Sequence, residues 1–291
     1  MRKLLITGAS GFLGWNMCRF ATREWEVFGT VFSHQIDIAG VHVVRIDVTD
    51  FYELQEVFHK IVPDAVIHTA AQSDPNYCQA NQAETKRINV DSSISIAGLC
   101  ADYSIPCVFT STDLVFDGRH SPYREEDPVC PVSFYGEQKV LAEMGMIKCC
   151  PTVIICRLSL MFGMPGPQAA SFIQPMIQAM NEGRELRLFV DEFRTPISVG
   201  SAVKGLFLAL EKGSGLLHLG GIERISRYDF GKLLSDILDM RSARLLPCKQ
   251  KDVVMAAPRP PDVSLDSTRA QSLGFRPLPL AEELKGLFCI V

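Results

Sequence analysis

Residues 3–14 read KLLITGASGFLG and lead from an apolar run through a glycine-rich turn into an amphipathic segment. The run before the turn predicts a buried strand, and the segment after it has helical spacing. Gly8, Gly11 and Gly14 recur at every third position between the two. A tight turn of this kind needs residues without a Cβ, and the helix N-terminus presents free N–H groups to an anion. This placement predicts a dinucleotide-binding turn.

Apolar runs alternate with amphipathic segments through the first 160 residues. The predicted strands are residues 3–8, 26–32, 41–47, 64–70, 105–111 and 152–158. The predicted helices are residues 11–23, 50–61, 82–103 and 133–148. Strands that are apolar on both faces and separated by helices are typical of a parallel sheet covered on both sides. We therefore predict a doubly wound, Rossmann-type α/β domain over residues 1–160.

The pattern changes beyond residue 160, where glycines and prolines interrupt it. Helices are predicted near residues 169–182, 199–211 and 226–240, with short strands at residues 186–190 and 215–221. We interpret residues 161–291 as a smaller C-terminal α/β lobe that binds substrate. This lobe is expected to be interleaved with the first domain, with ligand space between the two.

The composition of the 291 residues is that of a globular protein, with 47% hydrophobic and 21% charged residues. The net charge is −4 and the basic residues are scattered, which argues against a nucleic-acid partner. No apolar run approaches the ~18 residues of a membrane span, and no signal peptide is predicted. We therefore expect a cytoplasmic protein whose ten cysteines are reduced. No C-x-x-C or ligand-spaced histidines occur, so no metal site is predicted.

The choice of dinucleotide depends on the residues after the second predicted strand. An acidic residue about 20 positions beyond the glycines binds the ribose 2′-OH of NAD. Here no carboxylate precedes Asp37, and Ser33 leaves room for a 2′-phosphate. NADP(H) is therefore the preferred cofactor, with NAD(H) as the alternative. Asp47 either lies near the adenine amine or caps the helix that begins near residue 50.

A hydroxyl-rich strand end and a Tyr/Lys pair follow the glycine turn. Thr112 closes the strand at residues 105–111, at the sheet edge where ligands bind, although such hydroxyls also satisfy their own turns. Tyr135 and Lys139 lie four residues apart and share a helix face, which alone is an ordinary surface pattern. Together with the glycine turn, these residues form a coherent set for hydride chemistry. A free phenol has a pKa near ~10, and we expect the Lys139 ammonium to lower that of Tyr135.

The order of these motifs resembles the extended short-chain dehydrogenase/reductase family, and the similarity spans nearly the whole chain. STDLVFDG (111–118), PVSFYGEQK (131–139), CRLSLMFG (156–163), EFRTPISV (192–199) and PRPPDVSLD (258–266) are similar to motifs of the dTDP-4-dehydrorhamnose reductase-like branch. The resemblance implies NAD(P)H-dependent reduction of the 4-keto group of a nucleotide-linked deoxysugar, as in conversion of dTDP-4-dehydrorhamnose to dTDP-L-rhamnose.

The resemblance also implies roles for individual residues. Tyr135 would donate the proton, Thr112 would orient the carbonyl, and Lys139 would hold the nicotinamide ribose. The implied cofactor-binding residues are Gly8, Ser10, Gly11, Phe12, Leu13, Gly14, Ser33, Asp47, Val48, Ala70, Ala71, Asn89, Tyr135 and Lys139. The residues predicted to bind substrate are Asp113, Arg194 and Arg259.

Arginines in the second lobe are candidates for the diphosphate of a nucleotide sugar, because their guanidinium groups match phosphate oxygens. The candidates are Arg187, Arg194, Arg227 and Arg259, and a solvated surface role is the alternative for each of them. Arg259 is the strongest of them, because the prolines beside it stiffen its loop.

Two positions depart from the reductase pattern. Leu114 and Leu160 stand where that branch usually has aromatic residues near the sugar. Two alternatives therefore stay open: an epimerase or dehydratase of the same fold, and a non-catalytic regulatory subunit like the β subunit of methionine adenosyltransferase, which shares similar motifs. The oligomeric state is also open, with a homodimer as one option.

Overall fold

The computed structural model describes residues 1–240 and 242–288. Its strands are β1 (Arg2–Thr7), β2 (Trp25–Val31), β3 (Val41–Arg45), β4 (Ala65–His68), β5 (Cys107–Thr112), β6 (Ile154–Leu158), β7 (Met161–Phe162), β8 (Leu186–Phe189), β9 (Phe193–Arg194), β10 (Ile197–Ser198), β11 (Leu216–Leu219), β12 (Ile225–Ser226) and β13 (Leu245–Cys248). Its α-helices are α1 (Phe12–Ala21), α2 (Phe51–Ile61), α3 (Pro75–Ala80), α4 (Gln82–Lys86), α5 (Ser92–Asp102), α6 (Phe134–Cys149), α7 (Ile173–Asn181), α8 (Val199–Lys212), α9 (Arg227–Ile237), α10 (Thr268–Leu273) and α11 (Leu280–Phe288).

A seven-stranded sheet forms the centre of the fold, in the order β11-β6-β5-β4-β1-β2-β3. Each neighbouring pair of strands is parallel. From β1 the chain proceeds to β2 and β3 on one side and then to β4, β5 and β6 on the other. The order therefore reverses between β1 and β4, which is where ligands bind in such sheets. This topology confirms the predicted doubly wound α/β fold.

Two apolar clusters cover the faces of the sheet. One includes buried residues of α1 and α8, such as Met17 and Leu206. The other includes buried residues of α2, α5 and α6, such as Phe58, Ile96 and Met146. Because both faces are covered, the inner strands are apolar on both sides, as their sequences predicted.

The edge strand β11 of the central sheet comes from residues 161–291, which the sequence assigns to the second lobe. Leu216 of β11 pairs with Ile155 of β6, after α8 has packed against the sheet. The chain therefore returns to the sheet domain before it completes the second lobe. A third cluster forms that lobe around α7, α9 and α11, with Phe162, Phe230 and Leu284 at its centre. Within the two described ranges, no helix combines the length and apolar character that crossing a membrane requires.

The helix predicted over residues 82–103 is divided into three parts. A π-helical turn at Arg87–Asp91 separates α4 from α5. Such turns insert one extra residue into a helix and are frequent at functional sites. Sequence periodicity did not predict it, because a single inserted residue barely disturbs the helical pattern.

Candidate active site

Two adjoining cavities lie along the carboxyl edge of the sheet, and both are lined by Gly8 and Gly11. The larger cavity, of about 640 Å³, extends to residues of the second lobe. The smaller, of about 380 Å³, extends over the ends of β2 and β3. The two cavities therefore form one groove that passes over the predicted dinucleotide-binding turn.

The glycine turn brings backbone close to this groove. Gly8 has φ of +75°, and a Cβ built on it would lie 2.8 Å from the Cα atom of Ala70. A Cβ on Gly14 would lie 2.1 Å from the carbonyl oxygen of Gly8, so the start of α1 packs directly on the turn. Gly11 is the N-cap of α1 and makes no side-chain cap, which leaves the helix N–H groups free for an anion. This arrangement fits a pyrophosphate.

Most of the predicted cofactor-binding residues line the groove. Gly8, Ser10, Gly11, Ser33, Asp47, Val48, Ala70 and Ala71 line the smaller cavity. Phe12, Leu13, Gly14, Tyr135 and Lys139 line the larger one.

Asp47 does not cap α2. It accepts hydrogen bonds from the backbone N–H and the hydroxyl of Thr49, both at 2.8 Å. The cap is instead Asp50, which accepts from two N–H groups of the first helical turn. Of the two interpretations offered for Asp47, the helix cap is wrong, and its position in the wall of the smaller cavity is compatible with the adenine interpretation.

Asn89 lines neither cavity, contrary to the prediction that it binds cofactor. Its side chain accepts a hydrogen bond from the N–H of Gln72 at 2.8 Å and donates one to the carbonyl oxygen of Gln72 at 3.0 Å. It also donates to Gln138 of α6 at 2.8 Å. Asn89 therefore supports the loop after β4 from behind and acts on the groove indirectly.

Arg87 is a cavity residue that the sequence did not point to. It lines the smaller cavity and donates a hydrogen bond of 3.4 Å to the hydroxyl of Thr49. The π-helical turn begins at Arg87 and directs Asn89, two residues later, into the interior. Because Arg87 belongs to no motif and lies far along the chain from Thr49, only the tertiary fold reveals its position.

Thr112, Tyr135 and Lys139 all line the larger cavity, as predicted. Thr112 ends β5 and forms the N-cap of a short 3₁₀ turn, while Tyr135 and Lys139 face the cavity from the first turns of α6. The hydroxyl of Thr112 donates to Asp113 at 3.3 Å and accepts from the N–H of Leu114 at 3.2 Å. The fold thus brings together the three residues assigned to chemistry.

The pKa of Tyr135 differs from our expectation. Burial raises it well above its ordinary value, interactions with Cys78 and Asp113 add to that rise, and a hydrogen bond with Thr112 opposes it. Lys139 was expected to lower this pKa, but its own ammonium is buried, with Nζ lying 4.1 Å from the centre of the Phe109 ring. Burial is the largest cause of the shift of the Tyr135 pKa and sets its direction.

Lys139 has the opposite shift. Burial lowers the pKa of its ammonium to about 7, and the charges of Glu143 and Cys78 raise it again. The lysine therefore changes its charge near neutral pH, whereas the phenol stays protonated there.

Asp113 and Arg194, both predicted to bind substrate, form a buried ion pair in the wall of the larger cavity. Nη1 of Arg194 donates to Oδ1 of Asp113 at 2.7 Å, and Ser159 donates to Oδ2 at 3.0 Å. Nη2 of Arg194 lies 3.6 Å from Glu192. Both oxygens of Asp113 are therefore engaged by the protein itself, whereas Nε of Arg194 has no hydrogen-bond partner in the described part of the chain.

Three guanidinium groups in this wall have buried nitrogens without a hydrogen-bond partner in the described part of the chain: Nε of Arg194, Nη1 of Arg227 and Nη1 of Arg259. Arg227 lies over the ring of Phe172, 4.2 Å from its centre. Burial lowers the pKa of Arg227 and Arg259, and the charge of Glu192 opposes that shift. Unpaired buried donors are costly, so this convergence is suited to an anion. Arg187, also considered from sequence, is exposed and lines neither cavity of the groove.

Leu114 and Leu160, the two departures from the reductase pattern, both line the larger cavity. Leu114 packs with Tyr135 and Cys78 in a small apolar cluster. The positions where the resemblance leads us to expect aromatic rings therefore present aliphatic surface beside the reactive hydroxyls.

Comparison with known proteins gives consistent matches over the whole chain. The family model described as RmlD substrate binding domain matches residues 1–288. A curated relative, methionine adenosyltransferase 2 subunit beta of Danio rerio, is 24% identical over 282 residues, covering 94% of this chain and 85% of that protein.

Solved structures agree with these matches. A hypothetical dTDP-4-dehydrorhamnose reductase from Sulfolobus tokodaii is 29% identical, with a TM-score of 0.85 over 97% of this chain and 99% of that one. The dTDP-4-dehydrorhamnose reductase of Bacillus anthracis, solved in complex with NADP, has a TM-score of 0.86 and 22% identity, with both chains covered completely.

Proposed function

Since the chain belongs to the RmlD substrate binding domain family, we propose that it is an NADP(H)-preferring reductase of a nucleotide-linked 4-ketosugar. The substrate proposed is dTDP-4-dehydrorhamnose, reduced to dTDP-L-rhamnose. One observation carries the proposal: a single groove joins the glycine turn, the Thr112–Tyr135–Lys139 set and three arginines with unpaired buried nitrogens.

The sheet domain would hold the cofactor. Backbone N–H groups at the start of α1 would bind its pyrophosphate, and the absence of a Cβ at Gly8 leaves the approach open. Ser33 lies in the wall of the smaller cavity, where no carboxylate follows β2 directly to repel a 2′-phosphate. Lys139 would bind the nicotinamide ribose. When bound, the cofactor supplies the hydride that reduces the carbonyl carbon.

The residues at the centre of the groove would control the proton. Because burial raises the pKa of Tyr135, its phenol is protonated at neutral pH and can donate to the oxygen of the reduced carbonyl. Thr112, whose hydroxyl is anchored by Leu114 N–H, would orient that oxygen. A positioned acid of this kind contributes about 10²–10⁴-fold to a rate.

The second lobe would hold the nucleotide sugar. Arg227 and Arg259 provide unpaired N–H groups for the diphosphate, and Arg194 is held in place by Asp113. Arginine forks suit phosphate oxygens, and burial strengthens the charge-assisted hydrogen bonds that result. Leu114 and Leu160 would contact the sugar through apolar surface, consistent with a deoxysugar.

The direct test is an assay of the purified protein with NADPH and dTDP-4-dehydrorhamnose. We expect loss of the NADPH absorbance in step with formation of dTDP-L-rhamnose. Calorimetry should give tighter binding of NADPH than of NADH. If NADPH binds but no oxidation follows with this sugar, the proposed substrate is wrong; if neither dinucleotide binds, the proposed reductase is wrong.

A second candidate is a regulatory subunit that keeps the fold without turnover. The similarity to methionine adenosyltransferase 2 subunit beta and the two leucines in the cavity favour it. In that case, addition of the protein would change the rate of a methionine adenosyltransferase catalytic subunit, and Tyr135→Phe would leave this effect unchanged. An epimerase would instead interconvert nucleotide sugars without net consumption of NADPH.

A further inference from the structure

A buried carboxylate lies behind the proposed catalytic residues. Glu143 is on α6, one helical turn after Lys139 and two after Tyr135, so the three share one face of the helix. Its side chain is 5% exposed. It accepts a hydrogen bond of 2.5 Å from the hydroxyl of Ser111, and Arg157 donates to its two oxygens at 3.0 and 2.7 Å.

These contacts join three elements of the fold. Ser111 immediately precedes Thr112 in β5, and Arg157 lies opposite Ser111 on the neighbouring strand β6. Glu143 therefore ties α6 to both strands at the level of the site. A carboxylate with three hydrogen bonds in a fixed geometry holds the helix in one position against the sheet.

Glu143 is paired with the buried Arg157, and the buried Lys139 lies one helical turn before it on the same face of α6; the two cations are 4% and 2% exposed. The titratable groups that interact with Lys139 are His68 in β4, Cys78 in α3 and Glu143 in α6. Tyr135 lies one turn before it on the same helix face, Asp113 after β5 acts on Tyr135, and Arg157 in β6 pairs with Glu143.

Several of these groups carry no compensating charge for Lys139. His68 is kept neutral by burial, which lowers its pKa to about 3, and burial raises the pKa of Cys78. Asp113 is paired with Arg194. Glu143 is paired with Arg157, and it is also the carboxylate on the helix face of Lys139, where it raises the pKa of the lysine.

We propose that Glu143 is a positioning residue for the proposed reduction: its carboxylate keeps the Lys139 ammonium charged and holds α6 against the strand that carries Thr112. The catalytic part of this inference rests on the proposed function, whereas the effect on Lys139 does not. Without Glu143, Arg157 would lose its anionic partner and the buried Lys139 would lose the carboxylate one turn along its helix. Because arginine does not deprotonate in proteins, Lys139 would release its proton.

The test is a titration of Lys139 in the full chain by NMR, with lysine labelled at Cε and the signal assigned from its loss in Lys139→Met. In the unmodified protein we expect a midpoint near pH 7, given by the pKa of about 7. Glu143→Gln should lower this midpoint by about one pH unit, as expected for loss of a nearby opposite charge. An unchanged midpoint would overturn the proposal.

The matched control is Glu283→Gln. Glu283 of α11 is also buried, and it accepts hydrogen bonds from Ser198 and from Ser201 of α8. This variant should leave the Lys139 midpoint unchanged. A shift as large as that of Glu143→Gln would indicate a general effect of losing a buried carboxylate and would contradict the specific role.

A second variant keeps the test decisive if Glu143→Gln does not fold. Glu143→Gln/Arg157→Gln removes both charges of the pair, so no uncompensated arginine remains. Its Lys139 midpoint should also fall, since Glu143 is the member of the pair that acts on the lysine. A normal midpoint in this folded variant would overturn the proposal.

An activity measurement separates this inference from the proposed function. If the protein reduces the sugar, Glu143→Gln should lower kcat at least tenfold at pH 8 and shift the alkaline limb of the pH profile to lower pH. Glu143→Asp, which keeps the carboxylate, should have most of the unmodified protein's kcat and a pH profile close to its own. If the unmodified protein has no reductase activity, the proposed function fails, and the NMR midpoint still decides the role of Glu143.

Discussion

Arg194 donates a 2.7 Å hydrogen bond to Asp113 in the protein interior, and this contact links the two lobes in the wall of the groove. Asp113 follows β5 of the sheet domain directly after Thr112, whereas Arg194 lies in β9 of the second lobe. The arginine end of the groove and its hydroxyl end are therefore held in a fixed relation.

The proposed acid is tested by Tyr135→Phe. Loss of the phenolic proton donor should lower kcat by about 10²–10⁴-fold, because general acid catalysis contributes that much. The ring still fills the apolar cluster with Leu114 and Cys78, so stability and NADPH affinity should change little. Steady-state kinetics and calorimetry check the two expectations. Retained turnover would remove Tyr135 from the chemistry.

The arginine wall is tested with dTDP as a ligand in calorimetry. Arg227→Ala or Arg259→Ala should each weaken dTDP binding about 10–100-fold, since a hydrogen bond to a charged group contributes about 1.5–3 kcal/mol. The matched control is Arg187→Ala, because Arg187 is exposed and outside the groove. Equal affinities for all of these variants would show that the diphosphate binds elsewhere.

The glycine turn is tested by comparing Gly8→Ala with Gly183→Ala. Both glycines have positive φ, of +75° and +65°, so both substitutions carry backbone strain. A Cβ at residue 183 meets nothing within 4 Å, whereas one at residue 8 meets the backbone of Ala70 at 2.8 Å. Gly8→Ala should therefore lower the free energy of unfolding by at least ~1 kcal/mol more and abolish NADPH binding. Denaturant unfolding measures the stability difference. Equal decreases in the free energy of unfolding for Gly8→Ala and Gly183→Ala would mean that the turn has room for a side chain.

Two buried histidines predict how stability depends on pH. Burial lowers the pKa of His68 and His218 to about 3, with the charges of Lys139 and Arg157 acting in the same direction. The unfolded chain, with histidine pKa values near ~6.5, takes up protons first as pH falls. Stability that is full above about pH 6.5 should therefore fall by about 1.4 kcal/mol per histidine between pH 7.5 and 5.5.

Urea unfolding at pH 7.5 and 5.5 measures this decrease in the free energy of unfolding. In His218→Gln the decrease should be smaller by about 1.4 kcal/mol, the contribution of one histidine. The control is His42→Gln, whose side chain is 62% exposed and should contribute nothing comparable. A pH dependence that is unchanged in His218→Gln would contradict the buried, neutral histidine.

The parts of the site that the sequence predicted are those encoded by short spacings. The glycines of the turn are three residues apart, and Tyr135 and Lys139 are four residues apart. Local backbone geometry therefore fixes how the residues of each motif lie relative to one another. Thr112 was predicted because parallel strands end at a common edge.

What the sequence could not predict depends on long-range packing. Arg194, Arg227 and Arg259 converge because β9 pairs with β12 beside the loop that carries Arg259, a register that no local pattern encodes.

The pKa of Tyr135 follows from how deeply its side chain is buried, so reasoning from the charge of Lys139 alone predicts the wrong direction for the shift. The run at residues 216–219 is too short to distinguish an edge strand of the main sheet from a strand of the second lobe.

The most direct test of the account is a crystal structure of the protein with NADP⁺ bound. We predict that the pyrophosphate lies on the glycine turn and that the nicotinamide ring enters the larger cavity beside Tyr135. The ribose hydroxyls should lie within hydrogen-bonding distance of Lys139 Nζ, about 2.7–3.2 Å. A nicotinamide ring outside this cavity, away from Thr112, Tyr135 and Lys139, would contradict the proposed reaction.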